Sequence, residues 1–227
     1  HDIVTNMGIV YVFFRISYEI KRKLGWHKII FPTNPEPKNY ISLGTWKQNL
    51  RPFFFYGKDI IGLEKRSDKI LKSNIEDIKK GVYTFLNKSK IDLGSDYDWV
   101  TNPLTNHKYD VNKHWSEIQD FSIKSGDIKY VWEKARFSFL YDVIRYDYNF
   151  DEDQSEFVFN EIEDFIDKNP INQGPNYKCS QEISLRVLNW TFALYYFKDS
   201  ESLTEDLFNK MMHSIYWQTH HVFHNIH

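Results

Sequence analysis

Asn176 to Leu194, NYKCSQEISLRVLNWTFAL, decides how the chain is read. At about 100° per residue this stretch is a helix with two apolar stripes. Ile183, Val187, Trp190 and Leu194 form one; Leu185, Leu188 and Phe192 form the other. Between them runs a narrow polar line, Glu182, Arg186 and Asn189, at i, i+4 and i+7. An ordinary surface helix has one apolar stripe and a broad wet face. This cross-section predicts a helix buried on both flanks, with its polar line held in a slot. Buried unpaired, the carboxylate and guanidinium would cost several kcal/mol. The line therefore either pairs internally, Glu182 to Arg186, or faces a wet cleft.

Outward from this stretch, helical periodicity recurs. Thr5 to Leu24 reads as a helix with Ile9, Phe13, Ile16, Ile20 and Leu24 as its inner stripe and Gly25 as its C-terminal cap. Residues 31–66 are irregular, broken by Pro32, Pro35, Pro37 and Pro52, with RPFFFY (Arg51 to Tyr56) as a short strand or packed loop. Ser67 caps a helix to about Leu86 through Ile70, Ile75, Ile78, Val82 and Phe85. From Asn87 to Gly126 periodicity vanishes, yet Trp99 and Trp115 argue against disorder. Asp127 caps a helix to about Tyr146, with Ile128, Val131, Trp132, Ala135 and Phe139 apolar and Lys129, Glu133 and Arg136 aligned on another face. Asp151 to Asp167 is a further helix, stopped by Pro170. Thr204 caps the last one, through Ile226, with Leu207, Met211, Ile215, Val222 and Ile226 facing inward. The periodicity continues to the last residues, as it would in a fragment. The sum is about six helices with short connections: an all-α class without a 33- or 34-residue repeat.

Composition narrows the function. With 227 residues, 41% hydrophobic and 26% charged, the chain is globular. A net charge of −2 gives no electrostatic case for nucleic acid. Aromatic residues reach 18%, more than a core alone requires, and exposed rings grip flat ligand faces, sugars included. The single cysteine, Cys179, excludes an internal disulfide and reads as a small buried thiol. The apolar run Gly8 to Phe14 is too short to span a membrane, and no export signal is visible after His1.

Few motifs carry chemistry. His220 and His224 stand at i, i+4, a spacing able to grip a metal, beside His221 and His227. Zinc needs further ligands, and no HExxH motif is present, so packing is the better reading and neither a metal nor a cofactor is expected. Asp127, Glu133 and Glu182 are candidates for a carboxylate pair of a glycoside hydrolase. The absence of GxSxG, P-loop and GxGxxG removes the common hydrolase and nucleotide readings.

Three segments taken in order resemble the N-terminal helical domain of the heparinase II/III family of polysaccharide lyases. They are Asn102-Pro103-Leu104-Thr105 followed by His114-Trp115; Gly126-Asp127-Ile128-Lys129-Tyr130-Val131-Trp132-Glu133 with Arg136; and Asn169-Pro170 leading to Asn176-Tyr177, Glu182, Arg186, Asn189 and Trp190. The opening Phe13 to Gly25 also looks like the start of such chains. The resemblance implies an incomplete α/α toroid, of which residues 1–227 are the N-terminal part, followed by a β-sandwich domain. It implies β-elimination on a uronic-acid-containing polysaccharide, heparan sulfate-like or alginate-like, in the periplasm or outside the cell. The family's Asn-His and Tyr motifs are not found, so the catalytic residues are expected downstream of His227 and this piece alone is expected to be inactive. Trp132, Arg136, Tyr177, Glu182, Arg186 and Asn189 become candidate substrate-binding residues. Guanidinium forks suit carboxylate and sulfate. A different class also fits: a non-catalytic glycan-binding or structural helical domain whose polar line is architectural.

Overall fold

The structure, a computed structural model, describes residues 8–55, 57–66, 68–86 and 89–225. Helix makes up 54% and strand 8%, so the chain is mainly helical, as its periodicity implies. The helices are α1 (Ile9–Lys23), α2 (Trp26–Ile30), α3 (Leu43–Gln48), α4 (Lys69–Lys79), α5 (Lys129–Ala135), α6 (Leu140–Phe150), α7 (Ser155–Lys168), α8 (Ser180–Tyr196) and α9 (Glu205–His224). Two small antiparallel pairs accompany them: β1 (Val82–Phe85) with β2 (Ser89–Asp92), and β3 (Phe121–Ser122) with β4 (Gly126–Asp127). The main core lies where α4, α6, α7, α8 and α9 meet. It is filled by Ile75, Val143, Phe165, Trp190 and Met211, among others.

Several boundaries fall where sequence places them. Thr204 accepts from Leu207 N and opens α9, with Leu207 and Met211 buried. Gly25 closes α1 at φ 73°. Trp99 and Trp115, in the long segment without α-helix, are both fully buried, Trp115 opening a 3-10 turn (Trp115–Glu117). The residues 53–55 form a packed loop, with Phe53 against Tyr195 and Phe55 against Phe192. Thr5, Tyr56, Ser67, Ile226 and His227 lie outside the described residues.

Other expectations are overturned. The helix read to Leu86 ends at Lys79, because the chain turns at Gly81 into the β1–β2 hairpin. Gly81 has φ 85°, and a Cβ there would sit 2.1 Å from Gly94 O, so only glycine fits. Its N-cap is Asp68, whose carboxylate accepts from Ile70 N and Leu71 N. The helix read from Asp127 to Tyr146 is two helices, α5 and α6, broken at Phe137. Phe137 takes φ 60°, a conformation costing about 1–3 kcal/mol for a non-glycine residue. Its ring is fully buried, stacked 5.2 Å from Trp99 and edge-on to Phe165 and Trp190. Burying an aromatic ring contributes a comparable amount, about 1.5–3 kcal/mol, and offsets the strain. Asp151 ends α6 in the left-handed region, and α7 starts only at Ser155. Cys179 is half-buried.

Two helices are turned differently from their sequence reading. On α8 the Ile183–Trp190–Leu194 stripe is buried, but Leu185 and Leu188 are exposed. The polar line between the stripes faces inward instead: Glu182, Arg186 and Asn189 are all buried. On α1 none of the fifteen residues is buried. The stripe read as internal points outward, while Tyr11 and Tyr18 are half-buried and the Tyr18 ring lies tilted against His27 on α2, centres 4.8 Å apart.

Candidate polar frame and its cleft

The break between α5 and α6 creates the polar frame of the molecule. When a helix stops, its last carbonyls lose their intrahelical partners. Here α8 supplies replacements. Arg186 Nη1 donates to Ala135 O at 3.2 Å, and Asn189 Nδ2 donates to Arg136 O at 2.7 Å. Arg186 and Asn189 of the polar line are thus the donors that cap α5.

The side chain of Arg136 completes the junction. Its Nη2 donates to Glu182 Oε1 at 2.9 Å, and its Nε bonds the other oxygen of the same carboxylate. This is the bidentate geometry that guanidinium favours. Its Nη1 bonds Glu133, and Glu133 Oε2 accepts from Leu86 N at 3.1 Å, tying α5 to the hairpin. Burial opposes the charge on Arg136, but Glu182 and Glu133 outweigh it and raise its pKa. The i, i+4 spacing of Glu182 and Arg186 offered an internal pair; the carboxylate bonds Arg136 instead.

Arg186 has no carboxylate of its own. It is fully buried, donating from Nε to Gln218 Oε1 (2.7 Å) and from Nη2 to Asn176 O (2.8 Å). Its guanidinium lies 4.6 Å from the Phe165 ring centre and 5.7 Å from that of Tyr177. Desolvation pushes its pKa down to about 10, so it is still a cation at neutral pH. Cation–π contacts and three neutral acceptors replace a counter-ion. Tyr177 is buried beneath it, and burial raises the phenol pKa, partly offset by Arg186. Trp132 is buried too, its Nε1 donating to Pro175 O at 2.9 Å.

The six sequence-derived site residues therefore do converge, but mostly to brace one another. Only Arg136, 21% exposed at its side chain, reaches open space. That space is a cleft of about 540 Å³ between α4, β1, β2 and the α5–α6 junction. Tyr83 and Phe139, with ring centres 5.2 Å apart, line it. Asp77 and Lys90 face it as an ion pair, and Asp142, which accepts from Arg145, stands at its edge.

One buried ionisable group beside the cleft is not marked in the sequence pattern. Lys134, 5% exposed, borders the cleft from below, with Nζ 2.8 Å from Glu161 and 3.9 Å from the ring centre of Trp99. Desolvation lowers its pKa, and Glu161 works against that shift. Nothing in the pattern around Lys134 marks it, because its partners come from the hairpin, the irregular segment and α7.

The other candidates resolve into packing. Glu133 and Glu182 share one guanidinium, so they do not face each other across a gap as acid and base must. Asp127 lies on β4, and its carboxylate accepts from Lys129 N. His220 bonds Ile30 O at 3.0 Å, and His221 is buried against Phe31 and Trp115. Among the described residues, no group of three or more His, Cys, Asp or Glu side chains is placed to hold a metal ion. No helix among them is long and apolar enough to cross a membrane. No family model matches this chain, and no curated protein or solved structure matches it.

Proposed function

We propose that this chain is the N-terminal part of an incomplete α/α toroid from a polysaccharide lyase of the heparinase II/III type, acting on uronic-acid-containing glycans. The observation that carries the reading is the interlocking of the three resembling segments. Asn102 Nδ2 bonds Ser125 O and Asp127 O. Asn176 Nδ2 bonds Trp99 O and Asn169 Oδ1. Arg136, Glu182, Arg186 and Asn189 then join the second segment to the third. Residues scattered over about ninety positions serve one frame, and Arg136 presents a guanidinium edge to an aromatic-lined cleft.

In β-elimination the uronate carboxylate must be neutralised so that the C5 proton becomes acidic. A base removes that proton, and a donor protonates the leaving oxygen. In this reading the present residues do none of those steps. They hold one wall of the glycan cleft, where Arg136, held by Glu133 and Glu182, offers its remaining N–H groups to the sugar, and the catalytic groups lie on later segments of a longer protein. Such a lyase would work in the periplasm or outside the cell, where its polymer is found.

The test is absorbance of unsaturated uronate, with heparan sulfate, other glycosaminoglycans and alginate as substrates, for a longer protein containing this chain and for the chain alone. Activity in the first and none in the second is the expected result. Silence in both overturns the lyase reading. The runner-up, a glycan-binding or structural domain without catalysis, is favoured by the full internal engagement of the polar frame. It predicts silence in both, with heparan sulfate binding by the chain that weakens in Arg136→Gln.

A further inference from the structure

We propose that α1 is an interfacial helix that lays this chain on an anionic lipid surface, independently of any glycan chemistry. Ile9, Phe13, Ile16, Ile20 and Leu24 are 51 to 78% exposed. They form one stripe along four turns, about 23 Å at 1.5 Å per residue. Among the described residues nothing covers it. Trp26 and Ile29, also exposed, continue the apolar surface onto α2.

The helix is inverted relative to a helix of a globular core. Its inward side is the one with Tyr11, Tyr18, Glu19 and Arg22, all half-buried, with Glu19 bonded to Arg22 at 2.8 Å. The inward contact is made by the Tyr18 ring against His27, and the Ile9–Leu24 stripe is left for a partner.

Charge chooses that partner. Lys21 and Lys23 border the stripe on either side, while Arg15 lies over the Tyr18 ring, 5.5 Å from its centre, away from the stripe. None of the three has an ion-pair partner among the described residues. The one carboxylate of the helix, Glu19, is committed to Arg22 on the inward side. An apolar stripe flanked by free cations is the pattern of a helix lying in a headgroup layer, its apolar face about 5–10 Å deep and its lysines reaching the phosphates. An anionic polysaccharide would engage the lysines and leave the stripe in water. The absence of a spanning helix among the described residues is compatible with a helix that lies on the surface.

The test is co-sedimentation of the chain with vesicles of phosphatidylcholine mixed with phosphatidylserine, and with phosphatidylcholine alone. Binding to the mixed vesicles is expected, weakened at about 1 M salt, where the Debye length falls to about 3 Å. Phe13→Asp with Ile20→Asp, and separately Lys21→Glu with Lys23→Glu, should each reduce partitioning about tenfold or more. Circular dichroism and melting should stay as in the unaltered chain, since these side chains touch no core. No binding to the mixed vesicles, or binding untouched by Phe13→Asp with Ile20→Asp, overturns the proposal. So does a dimer in sedimentation velocity that the same pair of substitutions dissociates, because the stripe would then join two copies.

Discussion

Helices α1 and α8 both carry apolar stripes in their sequence, far more one-sided in α1 than in α8, and the structure turns both against the usual rule. In α8 three polar residues go inward while Leu185 and Leu188 face water. In α1 five apolar residues face water while Tyr18 packs on His27. The difference lies in what each helix packs against. The broken α5–α6 junction presents carbonyls and a guanidinium to α8, and only donors and a carboxylate satisfy them. The surface under α1 is His27 of α2, which takes a ring. Periodicity locates a helix face; the neighbouring element decides whether it faces in.

If that account of α8 is right, removing its central cation does the most damage. Arg186→Met leaves Gln218 Oε1, Asn176 O and Ala135 O without their buried donor, and a loss of about 3–5 kcal/mol is expected in urea unfolding. Arg186→Lys should recover little, since one ammonium does not span the three acceptors that the guanidinium fork reaches. A loss under 1 kcal/mol for Arg186→Met would break the comparison, making the polar line incidental. Next in size is Glu182→Gln, which takes a bidentate partner from Arg136. Glu133 remains and Arg136 is partly wet, so about 1–3 kcal/mol is expected from the same measurement.

The α1 side carries a pH signature instead. His114 Nε2 donates to Phe31 O at 3.0 Å, and its Nδ1 accepts from Ser116 N at 3.2 Å. That arrangement needs the neutral ring, and desolvation lowers its pKa below 6.5. The unfolded chain then binds more protons than the folded one in the window just under pH 6.5. The contribution is complete above pH 6.5 and is lost as pH falls from there through the folded value. His213, lowered by the same cause, adds in the same direction. Protection factors, taken relative to the intrinsic exchange rate at each pH, should therefore fall around Phe31 and Trp115 between pH 7 and pH 5.5. His114→Gln should flatten that dependence; an unchanged slope would remove His114 from the account.

What could be read without coordinates follows the same division. Thr204 announces α9 because its cap is local, and Trp190 announces the core because a large apolar residue has few other places to go. Phe137 does not announce the break. Nothing in KARFSFL disfavours a continuous helix, and the left-handed turn is stabilised by Trp99, Phe165 and Trp190, distant in sequence. Gly81 gives a fair local signal for the end of α4 that the run of apolar residues through Phe85 masks. Lys134 gives none, since a lysine in a helix is ordinarily a wet residue. The candidate site residues are legible as a group but not in role. Spacing identifies Glu182, Arg186 and Asn189 as unusual, while only the α5–α6 break shows that Arg186 and Asn189 cap carbonyls and that Glu182 holds Arg136 at the cleft.

The smallest expected effect is the sharpest test of the contrast. Ile16→Gln on α1 and Leu188→Gln on α8 replace apolar residues that occupy apparent core stripes in the sequence. Both are exposed in the structure, so each should change folding stability by no more than about 0.5 kcal/mol. Ile183→Ala, on the stripe of α8 that is fully buried, should cost about 2–5 kcal/mol in the same urea titration. A large loss for Leu188→Gln would mean that α8 is rotated in solution and that its polar line faces a cleft after all. A large loss for Ile16→Gln alone would mean that α1 is already covered in the isolated chain. In that case the apolar stripe belongs to the fold, and no partner is needed to explain it.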